Sequence, residues 1–281
     1  MFEPERQQTS RLMPPKAITS LTNERVKFVR SLEMRKTRRE TGLFVAEGAS
    51  IIATARDLGL APRMLIYRAG SAEDGIGRQL VAWGLREQAE CLEVSDAVLE
   101  KLAAKDNPQT MMAVFSQRFA APPAPAEVAP GATWLALEEV RDPGNLGTII
   151  RTADAVGAAG VILAGTCCDP YAREAVRATM GSIFAVPLVA MAGAAWLELA
   201  RTWPGDVIGT HLAGREDFRA AGFRPPQLLV MGREGPGLSE ATAAACTRLV
   251  KIPMAGRIDS LNLAIATALV LYQLRGGSLK M

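Results

Sequence analysis

The chain has 281 residues, 49% of them hydrophobic and 22% charged, which suits packed cores in two domains and excludes general disorder. A formal net charge of +3 permits a polyanionic partner without requiring one. Four cysteines with no C-x-x-C pair, and His211 as the single histidine, argue against a zinc site or a disulfide framework and for reduced thiols in the cytoplasm.

Residues 1–16, MFEPERQQTSRLMPPK, read as a flexible tail without the apolar core of a signal peptide, and Glu3 and Glu5 weigh against an organellar leader. No later stretch reaches the roughly 18 apolar residues of a membrane span, so no membrane association is expected.

A first domain follows at 17–115. Residues 22–40 form a basic helical stretch in which Val26, Phe28, Val29 and Leu32 make an apolar side. The opposite side carries Arg25, Lys27, Arg30, Arg35, Lys36, Arg38 and Arg39, a face suited to a phosphate backbone. A plain solvated helix is the alternative. Strands are expected at 43–48, 64–68 and 112–115, and helices near 49–58, 76–88 and 95–103, a small α/β or α+β arrangement.

Residues 116–131, SQRFAAPPAPAEVAPG, form a Pro/Ala linker. The second domain, 132–281, alternates apolar strands at 134–140, 160–165, 206–212, 227–232 and 248–253 with helices near 145–157, 171–180, 192–203, 239–246 and 262–274. Continuous apolar strands between helices imply a parallel sheet covered on both faces, an α/β domain.

Three segments of this domain place chemistry at strand ends, where ligand sites of open α/β sheets lie. In 135–163 a strand runs into Asp142-Pro143-Gly144-Asn145 and then a helix that carries Arg151 near its second turn. In 228–240, LLVMGREGPGLSE, Gly232, Gly235 and Gly237 allow a sharp turn with backbone amides near a ligand, Glu234 is a carboxylate in that loop, and Ser239 is an N-cap. In 250–274 a strand ends at Ile252-Pro253, and a loop crosses to Ser260-Leu261-Asn262, which opens a long apolar helix. Each segment alone also reads as an ordinary turn or cap; their conjunction on one sheet edge is the specific signal.

These segments, in this order, resemble the signature motifs of the SpoU family of the SPOUT class of methyltransferases: N-x-x-x-x-x-R (Asn145, Arg151), G-x-E-G-x-G (Gly232 to Gly237) and I-P-M…S-L-N (Ile252 to Asn262). Residues 18–48 are similar to the L30e-like RNA substrate-binding domains that precede such catalytic domains. The resemblance implies a trefoil-knotted parallel sheet, a homodimer formed through the catalytic domain, and S-adenosylmethionine as the methyl donor, with no metal. It places the cofactor against Thr210, His211, Leu212, Ala213, Gly232, Gly235, Ile252, Met254 and Leu261. The implied reaction is methylation of an RNA ribose 2′-hydroxyl, with ribosomal RNA preferred over transfer RNA, and a non-catalytic RNA-binding or ribosome-assembly factor as the alternative from another class. Arg151 would stabilise the developing alkoxide, Glu234 or a phosphate would receive the proton, and Asn145, Ser260 and Asn262 would position ribose and loops. Arg35, Lys36, Arg38 and Arg39 would bind RNA. His211 is expected to bond backbone rather than catalyse, and Cys167-Cys168 to pack; Arg173, Arg177 and Ser182 are expected to face RNA.

Overall fold

The computed structural model describes residues 14–73, 75–103, 109–219, 222–257 and 260–279, which divide into a unit ending at Ser116 and a unit beginning at Gln117. The first thirteen residues of the expected tail lie outside the described residues.

The first unit runs β1 (Lys16–Ile18), α1 (Glu24–Ser31), α2 (Arg35–Thr41), β2 (Leu43–Glu47), α3 (Ala49–Asp57), β3 (Met64–Arg68), α4 (Gly75–Arg86), β4 (Glu90–Val94), α5 (Asp96–Ala103) and β5 (Met111–Ser116). Its five strands are ordered β1-β4-β3-β5-β2, with β1, β4 and β3 parallel and β5 antiparallel to both β3 and β2. Two strands were not anticipated. Lys16, assigned to the tail, opens β1, and β4 is the short ECLEV run whose glutamates dilute its apolar signal. Both form through pairing, β1 with β4 and β4 also with β3, a non-local gain that local composition does not report.

The expected single helix over 22–40 is two. Asn23 caps α1 by accepting from the Arg25 amide, and α1 ends at Leu32. The turn that follows is held by Arg38, whose Nη1 donates to the Leu32 carbonyl at 2.8 Å and the Glu33 carbonyl at 2.7 Å. Carbonyls at a helix C-terminus need such donors. Arg38 is therefore buried at 4% exposure, and its assignment to an RNA-facing surface is corrected. Val26, Val29 and Leu32 pack with Ile66, Leu92, Val98 and Leu102 in the core of this unit.

In the second unit, residues 117–131 are less independent than a linker. Tyr171 Oη donates to the Arg118 carbonyl at 2.5 Å, Phe119 meets the Tyr171 ring edge-on at 5.3 Å, and the Ala120 amide donates to the Leu188 carbonyl. Pro125–Glu127 forms a single 3-10 turn, and Ser116 already belongs to β5.

The elements that follow are β6 (Thr133–Glu138), α6 (Pro143–Ala155), β7 (Gly160–Ala164), α7 (Arg173–Ala178), β8 (Leu188–Met191), α8 (Gly193–Arg201), β9 (Val207–Thr210), β10 (Glu216–Asp217), β11 (Gln227–Met231), α9 (Glu240–Ala245), β12 (Arg248–Lys251) and α10 (Leu263–Arg275). The seven strands pair in parallel in the order β10-β12-β9-β11-β6-β7-β8. Strands buried on both faces explain the unbroken apolar runs. On one face Ala136, Ile162, Val207 and Leu228 pack under Trp196, Leu199 and Ala245 of α8 and α9. Alternation turns Leu135, Leu137 and Leu229 to the other face, where α10 packs on α6 and β11. No helix among the described residues is long and apolar enough to cross a membrane.

Candidate active site

The carboxyl ends of β6, β9, β11 and β12 lie side by side, so the loops leaving them share one edge of the sheet. Asp142 caps α6, its carboxylate accepting from the Asn145 amide at 2.6 Å, and Pro143 supplies the fixed φ suited to the first helical position. The helix thus begins two residues earlier than the sequence suggests. Asn145 is its third residue, and Arg151 its ninth, on the third turn.

The loop after β11 folds back on itself. The Arg233 and Gly237 backbones exchange hydrogen bonds of 3.1 and 3.0 Å, and Gly235 and Gly237 hold φ of +87° and +75°. A Cβ on Gly232 would stand 2.2 Å from the Gly237 carbonyl carbon, so only glycine fits there. This tight hairpin presents Glu234 to the β6–α6 connection. The Glu234 carboxylate accepts from the Arg141 amide and from Asn145 Nδ2, both at 3.3 Å. Asn145 Oδ1 in turn accepts from Asn262 Nδ2 at 2.9 Å, and Asn262 Oδ1 caps α10 by accepting from the Ala264 and Ile265 amides. Glu234, Asn145 and Asn262 therefore form one chain of hydrogen bonds across three loops.

These residues border a pocket of about 500 Å³. Of the residues assigned to catalysis, Asn145, Glu234, Ser260 and Asn262 line it. Of those assigned to the cofactor, Thr210, His211, Leu212, Gly232, Gly235, Ile252, Met254 and Leu261 do so. Arg151 and Ala213 do not. Arg151 is exposed on α6 about 9 Å along the helix axis from Asn145, and has no hydrogen bond or ion pair among the described residues. Ala213 contributes its amide, which donates to His211 Nδ1 at 3.0 Å and orients that ring. The described residues hold no cluster of metal-ligating side chains.

Several residues beside the site carried no signal strong enough to single them out. Arg233, the variable position of the G-x-E-G-x-G segment, lines the pocket and pairs with Glu139 at 3.5 Å. Glu139 itself, at the end of β6, adopts a φ of +51°, a conformation that costs a non-glycine residue about 1–3 kcal/mol and is held by its surroundings. Behind the loop, buried Glu138 accepts from the Ser239 amide at 2.8 Å and from the Ser239 and Thr242 hydroxyls at 2.6 Å, which fastens β6 to α9. A carboxylate at a strand end three residues before a turn could have been flagged, but its partners lie about a hundred residues away.

Cys167 is buried, with its thiol toward the Leu137 carbonyl, and burial pushes the Cys167 and Cys168 thiols up to about 11 and about 12. Both are packing groups rather than nucleophiles. Ser182 is also buried, its hydroxyl donating to Asp154 at 2.6 Å, so its assignment to an RNA-facing surface is corrected; Arg173 and Arg177 are half-buried and partnered.

Residues 132–272 match the model of the SpoU rRNA Methylase family, and residues 23–113 that of the MRM3-like substrate binding domain. The chain is 33% identical to a 23S rRNA uridine 2′-O-methyltransferase of Streptomyces viridochromogenes, over 85% of this chain and 84% of that one. It is 28% identical to the 23S rRNA guanosine 2′-O-methyltransferase RlmP of Bacillus subtilis, over 93% and 100%. Among solved structures, the AdoMet-bound rRNA methyltransferase of Sinorhizobium meliloti is 42% identical and superposes with a TM-score of 0.85, covering 94% of this chain and 99% of that one.

Proposed function

This chain belongs to the SpoU rRNA methylase family, and on that premise we propose that it methylates a ribose 2′-hydroxyl of ribosomal RNA, with S-adenosylmethionine as donor. The observation that carries the reading is the hydrogen-bonded row Glu234, Asn145, Asn262 on the border of the 500 Å³ pocket.

The pocket fits the donor. Its volume lies in the roughly 300–1,000 Å³ range of small-molecule sites, and apolar Leu212, Met231, Ile252 and Leu261 share its lining with the loop glycines Gly232, Gly235 and Gly237. Thr210, His211, Leu212, Gly232, Gly235, Ile252, Met254 and Leu261 would hold it. When bound, S-adenosylmethionine supplies an electrophilic methyl carbon. A ribose hydroxyl is a weak nucleophile, so positioning and charge stabilisation must supply the rate. Arg151, permanently charged and without a protein partner among the described residues, stabilises the developing negative charge on the 2′-oxygen. Glu234 receives the proton, since each of its oxygens has only one donor among the described residues. Asn145, Ser260 and Asn262 position the ribose and the loops.

The first unit, 17–115, binds the RNA, the 132–281 unit carries the reaction, and the cytoplasm is the setting. The insertion of β12 between β9 and β10 supports a trefoil-knotted path for the C-terminal segment. Ile265, Leu269 and Tyr272 form an exposed apolar stripe on α10, and Ala266 beside them lines the pocket, which supports a homodimer with the site next to its interface.

Incubation with labelled S-adenosylmethionine and unmodified ribosomal or transfer RNA, followed by nuclease digestion and nucleoside mass spectrometry, tests the reading. A 2′-O-methylnucleoside from ribosomal RNA is expected. Label only in transfer RNA would change the substrate, and a base-methylated product would overturn the reaction.

A further inference from the structure

The basic stretch at 24–39 is partly engaged within the protein, with Arg30 and Arg39 left exposed and without an ion pair among the described residues. Lys27 pairs with Glu24 at 2.7 Å, Arg25 with Glu90 at 3.1 Å and Lys36 with Glu40 at 3.9 Å, Arg38 is buried, and Arg35 has a partner. The concentration of cationic groups facing a concavity lies elsewhere in the same unit. Arg56 of α3 and Arg78 and Arg86 of α4 line one cavity of about 350 Å³, with Gln79 and Ala82 completing its wall. Arg78, Ala82 and Arg86 are spaced at i, i+4 and i+8, so they share one face of α4.

Arg56 is held in place: its guanidinium lies 2.9 Å from Asp57, and its Nη1 donates to Gln79 Oε1 at 3.4 Å. Arg78 and Arg86 are exposed and have no ion pair or hydrogen bond among the described residues. Three guanidinium groups around one concavity, with Asp57 the one carboxylate paired to them among the described residues, repel one another, and an anion entering between them relieves that repulsion. Guanidinium forks match phosphate oxygens in bidentate geometry.

We propose that Arg56, Arg78 and Arg86 form a phosphate-binding site for the RNA backbone on the α3–α4 face. This rests on the reading of the substrate as RNA and adds the place where the first unit grips it. Contacts of this kind position the substrate without reading its sequence.

The test uses the full chain and a fluorescently labelled, unmodified 23S rRNA transcript. Arg78→Ala combined with Arg86→Ala is expected to weaken binding about tenfold at physiological salt and to lower the slope of log affinity against log salt by about two. The KM for rRNA should rise accordingly while kcat at saturating RNA stays unchanged, and Arg78→Lys with Arg86→Lys should restore the salt slope. Unchanged affinity and slope in the alanine variant, with wild type binding normally, would overturn the site alone. A wild type that neither binds nor methylates rRNA would overturn the substrate reading, and the site with it. Equal affinity of wild type for poly-L-glutamate, lost in the same variant, would make the cavity a carboxylate-binding surface and reject the phosphate assignment.

Discussion

Asn262 lies 117 positions after Asn145, yet its Nδ2 donates to Asn145 Oδ1 at 2.9 Å while its own Oδ1 caps α10. One side chain thus joins the start of the last helix to the start of α6 and, through Asn145, to Glu234.

The two tasks of Asn262 are separable. Asn262→Asp keeps the capping acceptor, since the two residues cap almost equally well, but removes the donor to Asn145. Thermal stability should stay near that of the wild type, while methyl transfer falls by about tenfold or more through misplacement of the site loops. Asn262→Ala should in addition lose about 1 kcal/mol of stability. Melting curves and initial rates measure both; an Asp variant with full activity would show the Asn145 link to be dispensable.

Arg151 stands outside the pocket, so cofactor affinity and turnover should respond differently to its loss. Arg151→Ala should reduce methyl transfer about 10²–10³-fold, as removal of a charge-stabilising group does, with S-adenosylmethionine affinity by calorimetry unchanged. A parallel loss of cofactor binding would make Arg151 a structural residue.

The apolar stripe on α10 sets the expected assembly. Sedimentation should give twice the 30.0 kDa chain mass for the wild type and the chain mass for Ile265→Asp with Leu269→Asp. Both side chains are exposed in the single chain, so the variant should still fold. A monomeric wild type would remove the dimer from the proposal.

The thiols should be inert while the chain is folded. Burial raises Cys91 and Cys167 to about 11 and Cys168 and Cys246 to about 12, well above the ordinary thiol value near 9.0. The raised values favour the neutral thiol in the folded state. Their contribution to stability is fully present below pH 9 and is lost as pH rises through 11 to 12. Reaction with a chromogenic disulfide reagent at pH 8 should be slow for native protein and rapid for all four thiols in denaturant, and fast native labelling would contradict the burial.

Sequence alone determined the α/β character of the second unit, the turns and caps at Asp142, Ser239 and Asn262, and the three polar loops at strand ends. These follow from periodicity, glycine and proline chemistry and capping, all of which act within a few residues. The strands Lys16–Ile18 and Glu90–Val94 were not legible, because each exists through pairing with a distant partner. Charge was the least legible feature. Seven cations counted along 24–39 suggested a phosphate-binding face, but folding buries Arg38 against two carbonyls and pairs others with acids up to 65 positions away. Arg56, Arg78 and Arg86 are unremarkable in sequence, scattered over thirty residues, and meet around one cavity only when α3 packs on α4. Local patterns decide which elements form. Which side chains remain charged, open and convergent is decided by contacts that exist only in the folded chain.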